Sequence, residues 1–269
     1  MPKAIDLTPE FRFMGLFIGQ SGSGKTVAAS SFPKPLENWD FDGRIRGILG
    51  APWLVKEGII YEPFPPKENG LIERINKRME SLQAMAITNQ LSQQTEVLDS
   101  LTSECFAMCC QGLKLTHVSA KDASQANPKT GKYLGPIAML GPADYGFEAQ
   151  VTYDILSFFR SLPIPNVIVT AHIVDRYGKQ IGTDGKPDQY SESVVIGEKL
   201  SVRDKIGANV MVYFDHVFRF EKRLIGSEER FFVQFRGDLA RTSYAKLPNG
   251  EVDITGKNFY ETMMNYVKQ

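Results

Sequence analysis

The chain has 269 residues, a length that suits one large domain or two small ones. Hydrophobic residues make up 42% of it and charged residues 23%, a balance that excludes fibrous, low-complexity and disordered classes. Thirty-one basic residues match 31 acidic ones, so no overall field draws the chain to nucleic acid or anionic lipid, and such binding would need a local patch.

The first predicted elements are a buried strand, a loop and a short helix. Residues 11–18 form an apolar run of strand length that ends at Gly19. Residues 27–32 follow the loop and have the pattern of a short helix that Pro33 stops. Strand, loop and helix in this order are the context in which a phosphate-binding loop occurs.

The loop matches the eight-position phosphate-binding pattern with Gly19, Gln20, Ser21, Gly22, Ser23, Gly24, Lys25 and Thr26. The glycines allow successive amides to point inward around an anion, and the N-terminus of the next helix adds partial positive charge. We expect these residues to bind ATP, with Lys25 on the β- and γ-phosphates and the Thr26 hydroxyl on Mg²⁺. The alternative is a glycine-rich turn with an ordinary exposed lysine.

Two aspartates follow in a short predicted strand, residues 38–43, that ends in a turn. Trp39 and Phe41 alternate with Asp40 and Asp42, so both carboxylates would share one face of that strand. A carboxylate at a strand end near the phosphates can activate the attacking water, and Asp42 lies nearer the expected strand tip. The alternative is that both carboxylates are solvated surface groups.

The middle of the chain continues to alternate strands and helices. The pattern predicts strands over residues 58–62 and 95–99, an amphipathic helix over 71–94, a helix over 100–111 and a polar connection over 116–146. Asp99 ends the second of these strands, where a phosphate-loop protein needs an acid that orients magnesium. The alternative for Asp99 is an N-cap of the helix that follows.

The second half predicts a helix, a buried strand and a strand-rich end. The elements are a helix over residues 147–162, a strand over 166–171, a polar stretch over 174–194, strands over 210–220 and 230–234 with 242–246 as a further candidate, and a helix over 258–267. This order predicts an α/β fold in a single domain over residues 1–269. Its central sheet would be mainly parallel and flanked by helices, with an antiparallel C-terminal extension.

His172 directly follows the clearest buried strand, residues 166–171. At that strand end its ring could hydrogen-bond the γ-phosphate and report hydrolysis. The alternative is a structural histidine whose ring nitrogens are satisfied by its neighbours.

The cysteines and the chain start bear on location. Cys105, Cys109 and Cys110 fall on one predicted helix, without cysteine or histidine partners at zinc-site spacing, so we expect them to pack in the core. The chain start lacks the apolar stretch of a signal peptide, and no run of ~18 apolar residues occurs. We therefore expect a cytoplasmic protein.

The two polar stretches differ in charge. Residues 114–132 hold four lysines against one aspartate, a net charge of +3, with Tyr133 beside them, whereas residues 174–194 have a net charge of −1. A basic loop with a neighbouring aromatic ring suits single-stranded DNA, because phosphates are neutralised while bases stack. The alternative is an ordinary solvated loop.

Five segments in this order resemble those of phage-encoded RecA-like nucleotide-binding ATPases. They are the phosphate loop, Leu-Asp-Ser-Leu-Thr at 98–102, Val-Ile-Val-Thr-Ala-His at 167–172, Val-Ile-Gly-Glu-Lys-Leu at 195–200 and Tyr-Phe-Asp-His-Val-Phe-Arg at 213–219. The resemblance implies a RecA-like core that hydrolyses ATP with magnesium. For several relatives it also implies a recombinase or single-strand-annealing role on phage DNA, in the host cytoplasm.

The resemblance further implies a homo-oligomer with the nucleotide at subunit interfaces, where a neighbour inserts a cation. Lys246 or Arg241 would occupy that place, although Leu247 and Pro248 follow Lys246 where a second basic residue is often found. Exposed basic residues on an edge strand are the alternative. With Lys246 from the resemblance, the catalytic residues that we expect are Lys25, Asp42, Asp99, His172 and Lys246.

Two other functions remain open on the same loop. A small-molecule kinase should carry an arginine-rich lid, but residues 174–194 contain only Arg176. An ATP-gated interaction module with slow hydrolysis needs no further motif.

Overall fold

The structure is a computed structural model that describes residues 12–117, 142–179 and 193–268. Packing divides the chain into two compact units. The first comprises residues 1–12, 33–45 and 58–167 in their described parts, and the second comprises residues 13–32, 46–57 and 168–269 in theirs. The prediction of a single domain stays a prediction.

The described residues form strands, α-helices and two short 3₁₀ turns. The strands are β1 (Phe13–Gly19), β2 (Leu36–Asp40), β3 (Ile59–Pro63), β4 (Thr95–Asp99), β5 (Asn166–Lys179), β6 (Ser193–Leu200), β7 (His216–Ile225), β8 (Glu228–Gln234) and β9 (Glu251–Asp253). The helices are α1 (Lys25–Ala29), α2 (Leu71–Ile87), α3 (Leu101–His117), α4 (Pro142–Ser161), α5 (Asp204–Val210) and α6 (Phe259–Lys268). The 3₁₀ turns are Ile45–Gly50 and Met211–Tyr213.

The first unit contains parallel strands in the order β3, β2, β4, together with α2, α3 and α4. Strand β2 pairs with both neighbours, so that Glu37 lies opposite Ile60 on one side and Glu96 on the other. All five β2 residues are buried. The sequence alternation had predicted a polar face for this strand, which is wrong because a parallel strand with elements on both faces is buried throughout.

The second unit combines a parallel pair with antiparallel extensions. Strands β1 and β7 are parallel, β8 and β9 follow antiparallel beyond β7, and β6 pairs antiparallel with β5. Its core is dominated by aromatic rings in mutual contact, namely Phe13, Phe17, Phe32, Phe218, Phe220, Phe235 and Phe259. The expected α/β class, mainly parallel with antiparallel C-terminal strands, is confirmed.

Several predictions differ from the structure. Helix α2 ends at Ile87 instead of residue 94, and α4 begins at Pro142 instead of residue 147. Residues 210–213 end α5 and form a 3₁₀ turn instead of beginning a strand, because a short apolar run has no period that separates strand from helix. Residues 242–246 form no strand, and the pairing there is an isolated bridge between Val217 and Arg241. Strands β5 and β6 extend into the stretch predicted as polar loop, as an antiparallel pair with exposed outer ends.

The described residues contain neither a membrane-spanning helix nor a cluster of metal-binding side chains. None of their helices combines the length and apolar character that crossing a bilayer requires. Within the same residues, no group of three or more His, Cys, Asp or Glu side chains is arranged to hold a metal ion.

Candidate phosphate-binding site

The phosphate loop lies in the second unit, between β1 and α1. All seven residues of β1 are buried, and the strand ends at Gly19, so the predicted order of strand, loop and helix is confirmed. Gly22 and Gly24 have φ angles of 78° and 90°, which L side chains rarely adopt. Because α1 has only five residues, its dipole is small and would add little to the attraction of the loop for an anion.

Lys25 is almost fully buried, with 5% of its surface exposed. Its Nζ donates to the carbonyl oxygens of Gly19 and Gln20, each at 2.9 Å, and lies 3.4 Å from the Ser23 hydroxyl oxygen. An ordinary surface lysine would keep its ammonium in water. The alternative of an exposed lysine on a glycine-rich turn therefore does not describe this residue.

His172 stands beside Lys25 on β5, the strand next to β1. Its Nδ1 lies 3.4 Å from Lys25 Nζ, at the outer limit of hydrogen-bond distance. The structure therefore brings together Ser23, Lys25 and His172, two of which the sequence had nominated for chemistry. Ser23 was nominated only as a member of the loop, and its contact with the ammonium had no separate sequence signal.

Asp99 lies in the first unit, at the carboxyl end of β4, and is 1% exposed. The α3 helix begins with a bond from the Glu104 amide to the Ser100 carbonyl, and the Ser100 hydroxyl accepts from the Ser103 amide at 3.4 Å. Ser100 is thus the residue that caps α3. The side-chain cap that the alternative assigned to Asp99 is thus provided by Ser100.

Asp40 and Asp42 occupy different environments, contrary to the shared strand face that the alternation predicted. Asp40 ends β2, and its Oδ1 accepts from the amides of Asp42 and Gly43 at 2.9 and 2.8 Å, which builds the turn. Asp42 lies in that turn, where its Oδ1 accepts from the hydroxyls of Ser100, at 2.8 Å, and Ser103.

The two candidate trans-acting cations differ in their surroundings. Lys246 is exposed in the connection between β8 and β9. The Arg241 guanidinium donates to the carbonyl oxygens of Met211 and, at 3.2 Å, Phe214. Arg241 therefore stabilises its own chain, and Lys246 is the better candidate for a cation that reaches a second copy.

A second cationic group near the loop was missed by the sequence reasoning. A cavity of about 140 Å³ is lined by Gln20, Ser21 and Ser23 of the loop and by Arg219 and Lys222 of β7. The Arg219 guanidinium is held by Glu198 at 2.8 Å and by Glu221 at 2.7 Å, and these hydrogen bonds raise its pKa. The sequence analysis contains Arg219 only as the last residue of the 213–219 segment and gives it no role, and the pairing of β7 with β1 brings it beside the loop.

The remaining nominated groups belong to the core or lie outside the described residues. Cys105 and Cys109 are buried, as expected, and burial raises the pKa of the Cys105 thiol well above its usual range. His216 stacks on Phe13 with ring centroids 4.9 Å apart, and burial lowers its pKa to about 4. Residues 118–132 of the basic stretch proposed for single-stranded DNA, and residues 180–192 of the second polar stretch, lie outside the described residues.

Neither a protein-family model nor a curated protein matches this sequence. Among solved structures, the fold is similar to the KaiC-like protein PH0186 of Pyrococcus horikoshii OT3, at 12% identity and a TM-score of 0.43, over 89% of this chain and 88% of that one. It is also similar to the flagellar accessory protein FlaH of Methanocaldococcus jannaschii, at 9% identity and a TM-score of 0.42, over 90% of this chain and 84% of that one. At these identities and TM-scores, the similarity gives no information about a ligand, an activity or a partner of this chain.

Proposed function

We propose that this protein is a RecA-like P-loop ATPase that binds ATP with magnesium and hydrolyses the γ-phosphate. The observation that carries the proposal is the buried Lys25 ammonium, held by loop carbonyls inside the phosphate-loop pattern. The ammonium is fixed in the middle of a glycine-rich loop between a strand and a helix, and a phosphate is the ligand that such a loop suits. The proposal that the bound ATP is hydrolysed is supported by the residues around Lys25 and by the family resemblance.

The chain's own groups have distinct tasks in this proposal. Lys25 exchanges the carbonyls of Gly19 and Gln20 for the β- and γ-phosphates, and the loop amides bind the remaining phosphate oxygens. His172 hydrogen-bonds the γ-phosphate from beside Lys25. Asp42 accepts the proton of the attacking water, and Lys246 of a second copy neutralises charge on the transferred group.

The donor set suits magnesium, which prefers hard oxygen ligands. The Thr26 hydroxyl follows directly on Lys25 in the first turn of α1, and Asp99 offers a buried carboxylate at a strand end. These two residues would hold the ion, directly or through water. Magnesium would supply charge neutralisation at the phosphates.

The proposed partner is single-stranded DNA, in phage recombination, repair or replication, and the proposed assembly is a homo-oligomer in the cytoplasm. The support is the sequence resemblance and the net charge of +3 over residues 114–132. If phosphate contacts supply the affinity, a gel-shift titration with single-stranded DNA should weaken steeply as salt rises. Binding that ignores salt, or no binding at low salt, would contradict this part of the proposal.

Replacing Lys25 by alanine tests the ATPase itself. The variant should lose magnesium-dependent phosphate release by at least a hundredfold, because the phosphates lose their buried cation. Lys199→Ala is the matched control, since Lys199 is an exposed lysine of the same unit that pairs with Asp204 at 2.7 Å. A Lys25→Ala protein that folds and turns over normally would overturn the proposed site.

The same assay separates the alternatives when single-stranded DNA or metabolites are added. Stimulation by DNA supports the recombination role. Transfer of the phosphoryl group to an added metabolite would identify a kinase, and ATP binding without either effect would identify an interaction module.

A further inference from the structure

A cavity of about 500 Å³ adjoins the phosphate loop within the second unit. Gly24 belongs to both the loop and the cavity wall, and Val27 of α1 continues the wall away from the loop. The opposite walls come from Trp53, Phe231 and Phe259. The cavity is therefore a mainly apolar, aromatic-walled space that begins where the phosphate loop ends.

Phe231 forms the wall nearest the phosphates. Its ring packs on Gly24, since a Cβ added to that glycine would lie 3.1 Å from Phe231 Cδ1. The Phe231 amide donates to the Thr255 hydroxyl at 2.8 Å, and its carbonyl accepts from the Ile254 amide at 2.9 Å. The backbone of Phe231 is thus fixed before any ligand arrives, and its ring packs against Gly24, which lowers the entropic cost of binding.

Trp53 forms another wall and is anchored through its neighbours. Ala51 and Leu54 on either side of it are 6% and 5% exposed. The Ala51 amide donates to the Ile48 carbonyl and the Leu54 amide to the Ala51 carbonyl, both at 3.2 Å. Trp53 itself is half-buried and lines the cavity.

We propose that this cavity binds the base and ribose of the nucleotide whose phosphates occupy the loop. The proposal rests on the proposed function, because it assumes a nucleotide at Lys25. A nucleotide is covalently continuous from phosphate to base, and Gly24 is shared by the two spaces. A flat heteroaromatic base is suited to walls made of Trp53 and Phe231, since aromatic rings stack with favourable contact area.

The volume and the polar groups agree with this occupant. Cavities of roughly 300–1,000 Å³ are the size that binds small molecules and cofactors. The two charged residues of the lining, Glu229 and Lys257, are exposed, which suits ribose hydroxyls at the solvent side and leaves the aromatic walls to the base. Base affinity would then add to phosphate affinity through independent contacts.

The test compares ATP with inorganic tripolyphosphate, which has the phosphates without the nucleoside. Calorimetry in the presence of magnesium should show that Trp53→Ala and Phe231→Ala each weaken ATP binding at least tenfold and leave tripolyphosphate affinity within twofold. Phe232→Ala is the matched control, because Phe232 is the next residue of β8 and packs under the Arg223 guanidinium at 4.9 Å. That control should bind both ligands as the parent does.

Fluorescence supplies a readout that does not depend on the stability of an alanine variant. The chain has two tryptophans, and Trp39 is fully buried in the first unit. ATP should quench the emission of Trp53, whereas tripolyphosphate should not. Trp53→Phe keeps an aromatic wall, so it should retain ATP affinity within threefold and lose the quenching.

The outcomes separate this inference from the proposed function. A parent protein that binds tripolyphosphate as tightly as ATP, or a Trp53→Ala protein with unchanged ATP affinity, would overturn the base site and leave the phosphate site standing. A folded parent protein that binds neither ligand would overturn the proposed function, and this inference with it.

Discussion

Lys25 and His172 show how two side chains far apart in sequence acquire one environment. The ammonium is buried against loop carbonyls, and the imidazole nitrogen lies 3.4 Å from it. In the proposed ATPase, Lys25 is assigned to the phosphates in both the ground state and the transition state, whereas His172 is assigned to the γ-phosphate, where charge changes during hydrolysis. Their substitutions should therefore have different kinetic signatures.

Replacing His172 by alanine should lower kcat for ATP hydrolysis by about tenfold to a hundredfold while KM changes less than threefold, because an interaction strengthened in the transition state is lost. His172→Gln retains a hydrogen-bonding group at this position and should recover part of the rate. Steady-state phosphate release measures both parameters. A rise in KM at unchanged kcat would instead mean that His172 only binds substrate.

At the scale of elements, a buried ion pair joins α2 to the sheet of the first unit. Arg78 of α2 donates from Nε to Glu37 Oε1 at 2.6 Å and from Nη2 to Glu37 Oε2, and Glu37 is 1% exposed. Glu96 is the register partner of Glu37 on β4. Burial first, and then the Glu37 charge, raise the pKa of Glu96 well above its usual range, so Glu96 is the protonated member.

Arg78→Ala should lower the free energy of unfolding by ~3–5 kcal/mol, because it leaves the Glu37 charge buried without its partner. Urea titration followed by circular dichroism measures this change. Lys199→Ala removes an exposed ion pair and should cost less than ~1 kcal/mol. Equal losses of unfolding free energy in the two variants would show that the Arg78–Glu37 pair stabilises the protein no more than an exposed ion pair does.

A second buried acid lies where α3 and α4 meet. Glu104 is fully buried and accepts from the Thr152 hydroxyl at 2.9 Å. Burial, reinforced by the nearby Glu148 charge, raises the pKa of Glu104 to about 8. The folded chain therefore holds a proton that the unfolded chain releases near pH 4.5.

The consequence is a stability that falls with rising pH. A carboxyl group with a raised folded pKa contributes its full stability below the unfolded pKa, and this is lost as the pH rises towards 8. The glutamine of Glu104→Gln stays neutral at every pH. The decline of the free energy of unfolding between pH 5 and about 8 should therefore become shallower in this variant, and Glu96 should account for the decline that remains. Urea midpoints across this range are the measurement, and an unchanged slope would show that Glu104 titrates normally.

For the whole molecule, nucleotide binding should appear as added stability. A ligand at a hundred times its Kd stabilises the folded state by about 2.7 kcal/mol, which for a chain of this size is a rise of several degrees in Tm. ATP with magnesium should produce this rise in the parent and not in Lys25→Ala. Thermal denaturation with and without ligand tests it, and an equal rise in both proteins would place the nucleotide elsewhere.

The phosphate loop and most helices and strands could be read from sequence because their signals are local. The Gly19–Thr26 pattern, the stop at Pro33 and the spacing along α2 each lie within one contiguous stretch. The prediction that Asp40 and Asp42 share one face of a strand was wrong for a different reason. It required knowing that β2 ends at Asp40, and that end is set by hydrogen bonds between the Asp99 carbonyl and the amides that follow β2.

Local chemistry was therefore sufficient to identify the phosphate-loop pattern, its lysine and the α/β class, since backbone freedom and hydrophobic period act between near neighbours. Folding in three dimensions was needed to bring His172 to Lys25, to bury Glu37 opposite Glu96, and to set Trp53 and Phe231 around one cavity. These side chains are separated by tens to hundreds of residues. Their proximity depends on strand pairing and core packing, which no short stretch of sequence encodes.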